Sequence, residues 1–243
     1  MDELDEISFY FTTTGHSLKA VIAEMNAYFF FSHRRRLRVW REDVLGMPLL
    51  RLELPEHLSA RICRRTEYFL NRCGVHQLLN LPPDWPGDPL PTLIPTRQLW
   101  LQKAPETALF LLRRQGIDPA RATVEFCGQR LSPQAEQAIL ALVTRVRCVS
   151  LSLPVPEEFV WRLQREYGVS PVSTPGDLAL CYAPSARPRM LPLWQDRPQV
   201  EGASLFCPIP DAPQGCPTLP LLAALEEQGR LPAEEIRICS DFS

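Results

Sequence analysis

Between residues 122 and 182 the chain alternates strand-like and helix-like segments, and few architectures accept that order. Residues 122–127 (ATVEFC) read as a strand. Ser132-Pro133 caps a helix running to about residue 144, with proline at its first position. Residues 146–153 form a second strand, residues 156–167 a second helix stopped at Gly168, and residues 177–182 a third strand. A helix over residues 106–115, ending at Gly116, precedes them. This spacing predicts parallel strands joined by right-handed crossovers, an α/β fold with helices flanking a parallel sheet. A short strand near residues 203–206, a helix over 219–228 capped by Thr218 and stopped at Gly229, and a strand over 235–239 complete this half.

The N-terminal part predicts a smaller α/β unit. Residues 7–11 (ISFYF) are β-favouring, residues 12–17 form a turn, and Ser17 caps a helix over 18–31. Residues 36–41 and 49–54 alternate as strands. Pro55 then opens an amphipathic helix whose stripe is Leu58, Ile62, Thr66, Phe69 and Cys73, stopped by Gly74. Residues 81–96 hold six prolines, a density that no helix survives. That stretch is a linker or a long ordered loop, so the expected organisation is 1–80, a join at 81–96, and 97–243. A second tract, 184–220, holds nine prolines.

Charge narrows the function classes. The 243 residues carry 26 basic and 28 acidic side chains, a formal net charge of −2, which argues against a protein built to coat nucleic acid or anionic membrane. Only Lys19 and Lys103 are lysine; the remaining basic residues are arginine, so arginine clusters here reflect composition first. The run His33-Arg34-Arg35-Arg36, with Arg38, Trp40 and Arg41, is a nucleic-acid surface only as a secondary reading. The acidic start MDELDE has no apolar stretch behind a basic one, and the aromatic run 27–31 is too short to span a bilayer. The expectation is a cytoplasmic protein whose eight cysteines are reduced. They contain no C-x-x-C pair, and Cys63, Cys73 and His76 make only a loose trio, so no metal site is expected.

The run TALFLLRRQGIDPARATVEFCG (107–128) resembles the entry into a Rossmann-type dinucleotide-binding domain, as in amino-acid and tetrahydrofolate dehydrogenases. The resemblance covers residues 104–182 and implies a C-terminal Rossmann-like sheet. Its fingerprint departs from the family's. With Gly128 as first glycine, the second place is Arg130, whose side chain fills the space a pyrophosphate needs, and the third is Pro133. The ribose-binding acid is missing as well: the next strand reads VRCVSLSL and the following carboxylate is Glu157. NAD is therefore disfavoured. Thr12, Thr13, Thr14, Gly15 and Ser17, with His16 among them, resemble the first phosphate loop of flavodoxin-like proteins. That resemblance implies FMN, a nucleotide or another small anion at a helix N-terminus.

For catalysis the candidates are Cys127, at the carboxyl end of the first C-terminal strand beside Gly128 and Arg130, and His16 as a base. Neither belongs to a known catalytic motif, and the alternative for Cys127 is a small buried hydrophobe. The leading expectation is a degenerate, non-catalytic Rossmann-like protein acting by ligand sensing or protein contacts. The alternatives are an enzyme or carrier holding a phosphorylated ligand between the two halves, and a nucleic-acid-associated protein using residues 34–41.

Overall fold

The computed structural model describes residues 7–13, 38–54, 59–72, 75–82, 85–86 and 92–240. The chain divides into two compact units, each built from two segments: Met1–Ile94 with Cys207–Pro232, and Pro95–Phe206 with Ala233–Ser243. The first break falls inside the proline-rich stretch 81–96.

The first unit is a five-stranded sheet of β1 (Ile7–Thr13), β2 (Arg38–Val44), β3 (Met47–Leu54), β4 (Val75–Leu78) and β5 (Thr92–Leu93), ordered β2-β3-β1-β4-β5. All neighbours are antiparallel except β4 and β5. Helix α1 (Ala60–Arg72) buries Cys63, Thr66 and Leu70, one residue round from the expected Leu58–Ile62–Thr66 line. Trp85 is buried and donates its indole N–H to Glu67 Oε1 at 3.0 Å, so the proline-rich stretch is ordered there. Residues 14–17 of the turn expected over 12–17, and the helix expected over 18–31, lie outside the described residues.

A two-residue turn joins β2 to β3, with Val44 facing Met47. Leu45 (φ 50°) and Gly46 (φ 74°) are both left-handed, as a hairpin that follows strand twist requires. Glycine adopts this freely; leucine does so against Cβ–carbonyl repulsion. Leu45 is 41% exposed, so burial offsets only part of the strain. Replacing it with asparagine, which tolerates this region, should raise stability by about 1 kcal/mol. A denaturant midpoint for Leu45→Asn at or below that of wild type would refute this.

The second unit opens with α2 (Arg97–Arg114). It begins well before the expected residue 106, because Pro105 lies inside the helix and mimics a start. The helix is held by burial of Leu99, Trp100, Ala104, Ala108 and Leu112, which outweighs the missing proline N–H. Strands β6 (Thr123–Cys127), β7 (Cys148–Ser152), β8 (Leu178–Cys181) and β9 (Met190–Pro192) form an all-parallel sheet in the order β7-β6-β8-β9. Helices α3 (Pro133–Leu142) and α4 (Glu157–Tyr167) make the crossovers and are tied by an Arg162–Glu136 ion pair. The C-terminal half is thus an α/β unit with a parallel sheet. Strand β9, inside the second proline-rich tract, was not expected; Pro192 is tolerated because the strand is an edge. Strands β10 (Ser204–Phe206) and β11 (Arg237–Cys239) form a separate antiparallel pair. Helix α5 (Thr218–Glu227) returns to the first unit.

Strand β6 lies between β7 and β8, so the chain leaves it in one direction and comes back to its other side. The returning chain passes against β6 on the side of Glu125. Gly176 N–H points at Glu125 Oε2 (3.4 Å), while Asp177 and Thr123 exchange two hydrogen bonds of 2.8 Å. A Cβ on Gly176 would sit 2.7 Å from the Glu125 nitrogen and 2.8 Å from the Thr123 carbonyl oxygen. Only glycine lets the backbone come this close.

Candidate functional site

In open parallel sheets, ligands settle outside the carboxyl ends of the strands where the strand order reverses. That place lies between β6 and β8, and a cleft of about 790 Å³ opens there. Arg130 and Gln134 line it from the segment after β6, Tyr182 from the end of β8, and Arg97 from the start of α2, with Asp196 beside them. The volume falls within the usual range for small-molecule sites.

Local structure fixes most of these groups. Asp196 accepts the Thr96 and Arg97 N–H groups through its main-chain carbonyl (2.9 and 3.0 Å), and Arg97 Nε donates to the Leu193 carbonyl at 2.7 Å. Tyr182 N–H donates to the Cys127 carbonyl at 2.7 Å. Its hydroxyl is buried and has no partner among the described residues, and burial pushes its pKa up, so it is a neutral phenol with a hydrogen bond to offer. Arg130 is exposed and extends from the loop.

The helix end contributes little. Pro133 has no N–H, and the Ala135 N–H is occupied by Ser132 Oγ at 3.1 Å. The cap and the missing proline N–H leave only the Gln134 N–H of the first turn of α3 for a ligand, fewer donors than a dinucleotide fold presents to pyrophosphate. Gly128 is not sterically demanded either. A Cβ there would make only ordinary contacts, none under 3.5 Å, and its φ is not left-handed.

On the Glu125 side of β6 lies a polar centre that local sequence patterns do not reveal. Glu125 is buried and accepts from Ser152 Oγ and from Arg187 Nη2, both at 2.6 Å. Burial pushes its carboxyl up, and the hydrogen bonds from Ser152, Gly176, Arg187 and Cys127 together outweigh that, so its pKa lies below the ordinary value. Cys127 stands in register with Cys181 of the next strand, packed with Ala179, Met190 and Trp194. Burial pushes the Cys127 thiol up; Arg187 opposes this and the Glu125 charge adds to it. Cys181 is pushed up to about 12 by burial and by Cys127. Both are neutral thiols at neutral pH, the wrong state for a nucleophile.

The expected site residues separate. Gly128 and Arg130 sit at the switch-point cleft, and Cys127 is in the strand beneath it. Thr12 and Thr13 belong to β1, where Thr12 pairs with Leu49 and Gln77 and Thr13 with Val75, so the strand runs past the expected turn start. Thr14, Gly15, His16 and Ser17 lie outside the described residues, as do residues 34–36 of the basic run. Arg38 and Arg41 lie on β2, an edge strand that also carries Glu42 and Asp43, the mixed charge that discourages edge-to-edge pairing. Among the described residues no group of His, Cys, Asp and Glu could hold a metal ion, and no helix is long and apolar enough to cross a membrane. The described cysteines are all free thiols.

Arg97, Tyr182, Glu125 and Arg187 escaped the sequence reading. Of these only Glu125 carries a local signal: a carboxylate inside the otherwise apolar strand TVEFC.

No protein-family model matches the chain, and no curated protein matches it. Among solved structures, it is similar to a HAD family hydrolase from Salmonella enterica subsp. enterica serovar Typhi, at 15% identity and a TM-score of 0.24. The match covers 72% of this chain and 66% of that structure's chain, and a likeness of that size carries no functional argument.

Proposed function

We propose that this chain is a non-catalytic ligand-binding α/β protein that takes a small phosphate-bearing molecule in the cleft between the carboxyl ends of β6 and β8. The observation that carries this reading is the position of the cleft at the point where the sheet order reverses, with Arg97 and Arg130 on its wall. Because the α3 terminus keeps few free N–H groups, these two arginines supply the charge for an anion. Arg97 is already oriented by Leu193, and Arg130 can close on the ligand. The unpartnered Tyr182 hydroxyl offers a further donor. The neutral state of Cys127 and Cys181 favours binding over nucleophilic catalysis.

Calorimetric titration with AMP, FMN, NAD and inorganic phosphate tests the proposal. At least one mononucleotide or phosphate should bind saturably, and Arg130→Ala should weaken that binding about tenfold, the loss of roughly one charge-assisted hydrogen bond. Absence of binding by folded wild type, or equal affinity of Arg130→Ala and Arg97→Ala with wild type, would remove this reading. A flat screen would favour the protein-contact reading instead.

A further inference from the structure

A second cleft in the C-terminal unit, of about 520 Å³, is lined by residues other than those of the switch-point site. Three arginines line it: Arg114 at the end of α2, and Arg187 and Arg189 just before β9. Among its described lining residues Glu201 is the single carboxylate, so the cleft is locally positive within a chain of formal charge −2. Leu111, Leu178 and Met190 supply its apolar part.

The three guanidinium groups differ in how they are held. Arg114 donates Nη1 to the Gly202 carbonyl, and its guanidinium rests where a side chain at 202 would be, since a Cβ there would lie 3.0 Å from Nη1. Gly202 has φ +84°, so glycine both makes the turn and leaves the seat open. Arg187 is held by Glu125 at 2.6 Å, yet its Nε is buried with no acceptor among the described residues. Arg189 is exposed and has no ion-pair partner among the described residues, though its carbonyl is fixed by the Ala179 N–H at 2.9 Å.

We infer that this cleft binds a small polyanion, a molecule carrying two or more phosphate or carboxylate groups. Two arginines held in place before the ligand arrives lose little side-chain freedom on binding, and their planar forks suit paired oxygens better than lysine would. One acidic group of the ligand would meet Arg114 and Arg189, and another the partly exposed guanidinium of Arg187. Arg187 then serves the buried Glu125 and the ligand at once.

The test is calorimetric titration of the full chain with pyrophosphate and, separately, with citrate, at low ionic strength. One of them should bind saturably, and which one binds tells phosphate from carboxylate ligands. Arg189→Glu should weaken that binding at least about tenfold, while Arg165→Glu should leave it within about twofold, because Arg165 is exposed on α4 and lines neither cleft. Arg189 is exposed, so charge reversal there should leave the circular dichroism spectrum unchanged; Arg189→Ala is the milder companion variant. Absence of saturable binding of either anion by folded wild type would overturn the inference. So would equal weakening by Arg189→Glu and Arg165→Glu, which would mark a general charge effect. Loss of mononucleotide binding in Arg130→Ala with polyanion binding intact, or the reverse, separates the two sites.

Discussion

Gly176→Ala should destabilise the C-terminal unit by about 3 kcal/mol, the upper part of the usual range for forcing atoms into a packed site. The added methyl carbon would fall 2.7 Å from a main-chain nitrogen, 2.8 Å from a main-chain oxygen and 2.9 Å from the Glu125 Cβ. None of these is the far end of a flexible side chain. Relief requires β6 and the returning chain to separate, and that would lengthen the Asp177–Thr123 hydrogen bonds and the Gly176–Glu125 contact. Gly128→Ala is the matched control. Its Cβ meets nothing nearer than 3.5 Å, so it should be neutral or slightly stabilising through the restricted unfolded chain. Urea denaturation of both variants decides the matter. Similar midpoints for the two would show that the close approach at Gly176 has no energetic weight.

Glu125→Gln should cost about 2 kcal/mol at neutral pH, and that cost should shrink as the solution is acidified. Breaking a fully buried ion pair by removing one partner costs about 3–5 kcal/mol. Arg187 has a side-chain exposure of 37%, so water screens part of the interaction and the figure is reduced accordingly. The sign of the pH dependence follows from the direction of the shift. The folded Glu125 carboxyl titrates below its unfolded counterpart. Its contribution is therefore complete above the unfolded value, near pH 4.3–4.5, and is lost as the pH falls through the folded value, about as for any depressed carboxylate. The difference in stability between wild type and Glu125→Gln should be greatest near neutrality and should narrow toward pH 3, as measured by denaturant titration at several pH values. A gap that stays constant, or widens on acidification, would contradict the ionised, hydrogen-bonded state of this carboxylate.

How much of this could be read from the chain depends on the range of the signal. The alternation over 122–182 lies within single elements and their caps. The pattern Ser132-Pro133 and the stop at Gly168 placed α3 and α4 close to their final bounds. Helix α2 was half-missed because a proline inside a helix and a proline before one look alike locally, and only the burial of Trp100 and its neighbours distinguishes them. Strand β9 was hidden by prolines that an edge position excuses. For the candidate site, Gly128 and Arg130 were legible as residues following a strand end. Tyr182 was not, since it reaches the cleft only through the reversal of strand order, and Arg97 was not, since it stands in the part of α2 that Pro105 conceals. Arg187 meets Glu125 across 62 positions of sequence, and no periodicity encodes such a pairing.

The route of the chain between its two units has a consequence for how the protein is made. The N-terminal sheet belongs to a unit completed only by residues 207–232, which carry α5 and its buried run Leu221, Leu222, Ala223, Ala224 and Leu225. The unit begun second also ends last, with the residues after 232. During synthesis the first-begun unit therefore waits, incomplete, while nearly all of the second emerges. Apolar surface meant for α5 stays open through that interval, when exposure favours aggregation. Neither unit can be isolated by a single cut. Each is interrupted by the other, so the shortest piece that holds the first unit whole is residues 1–232, and the shortest that holds the second, residues 95–243, carries α5 of the first along with it.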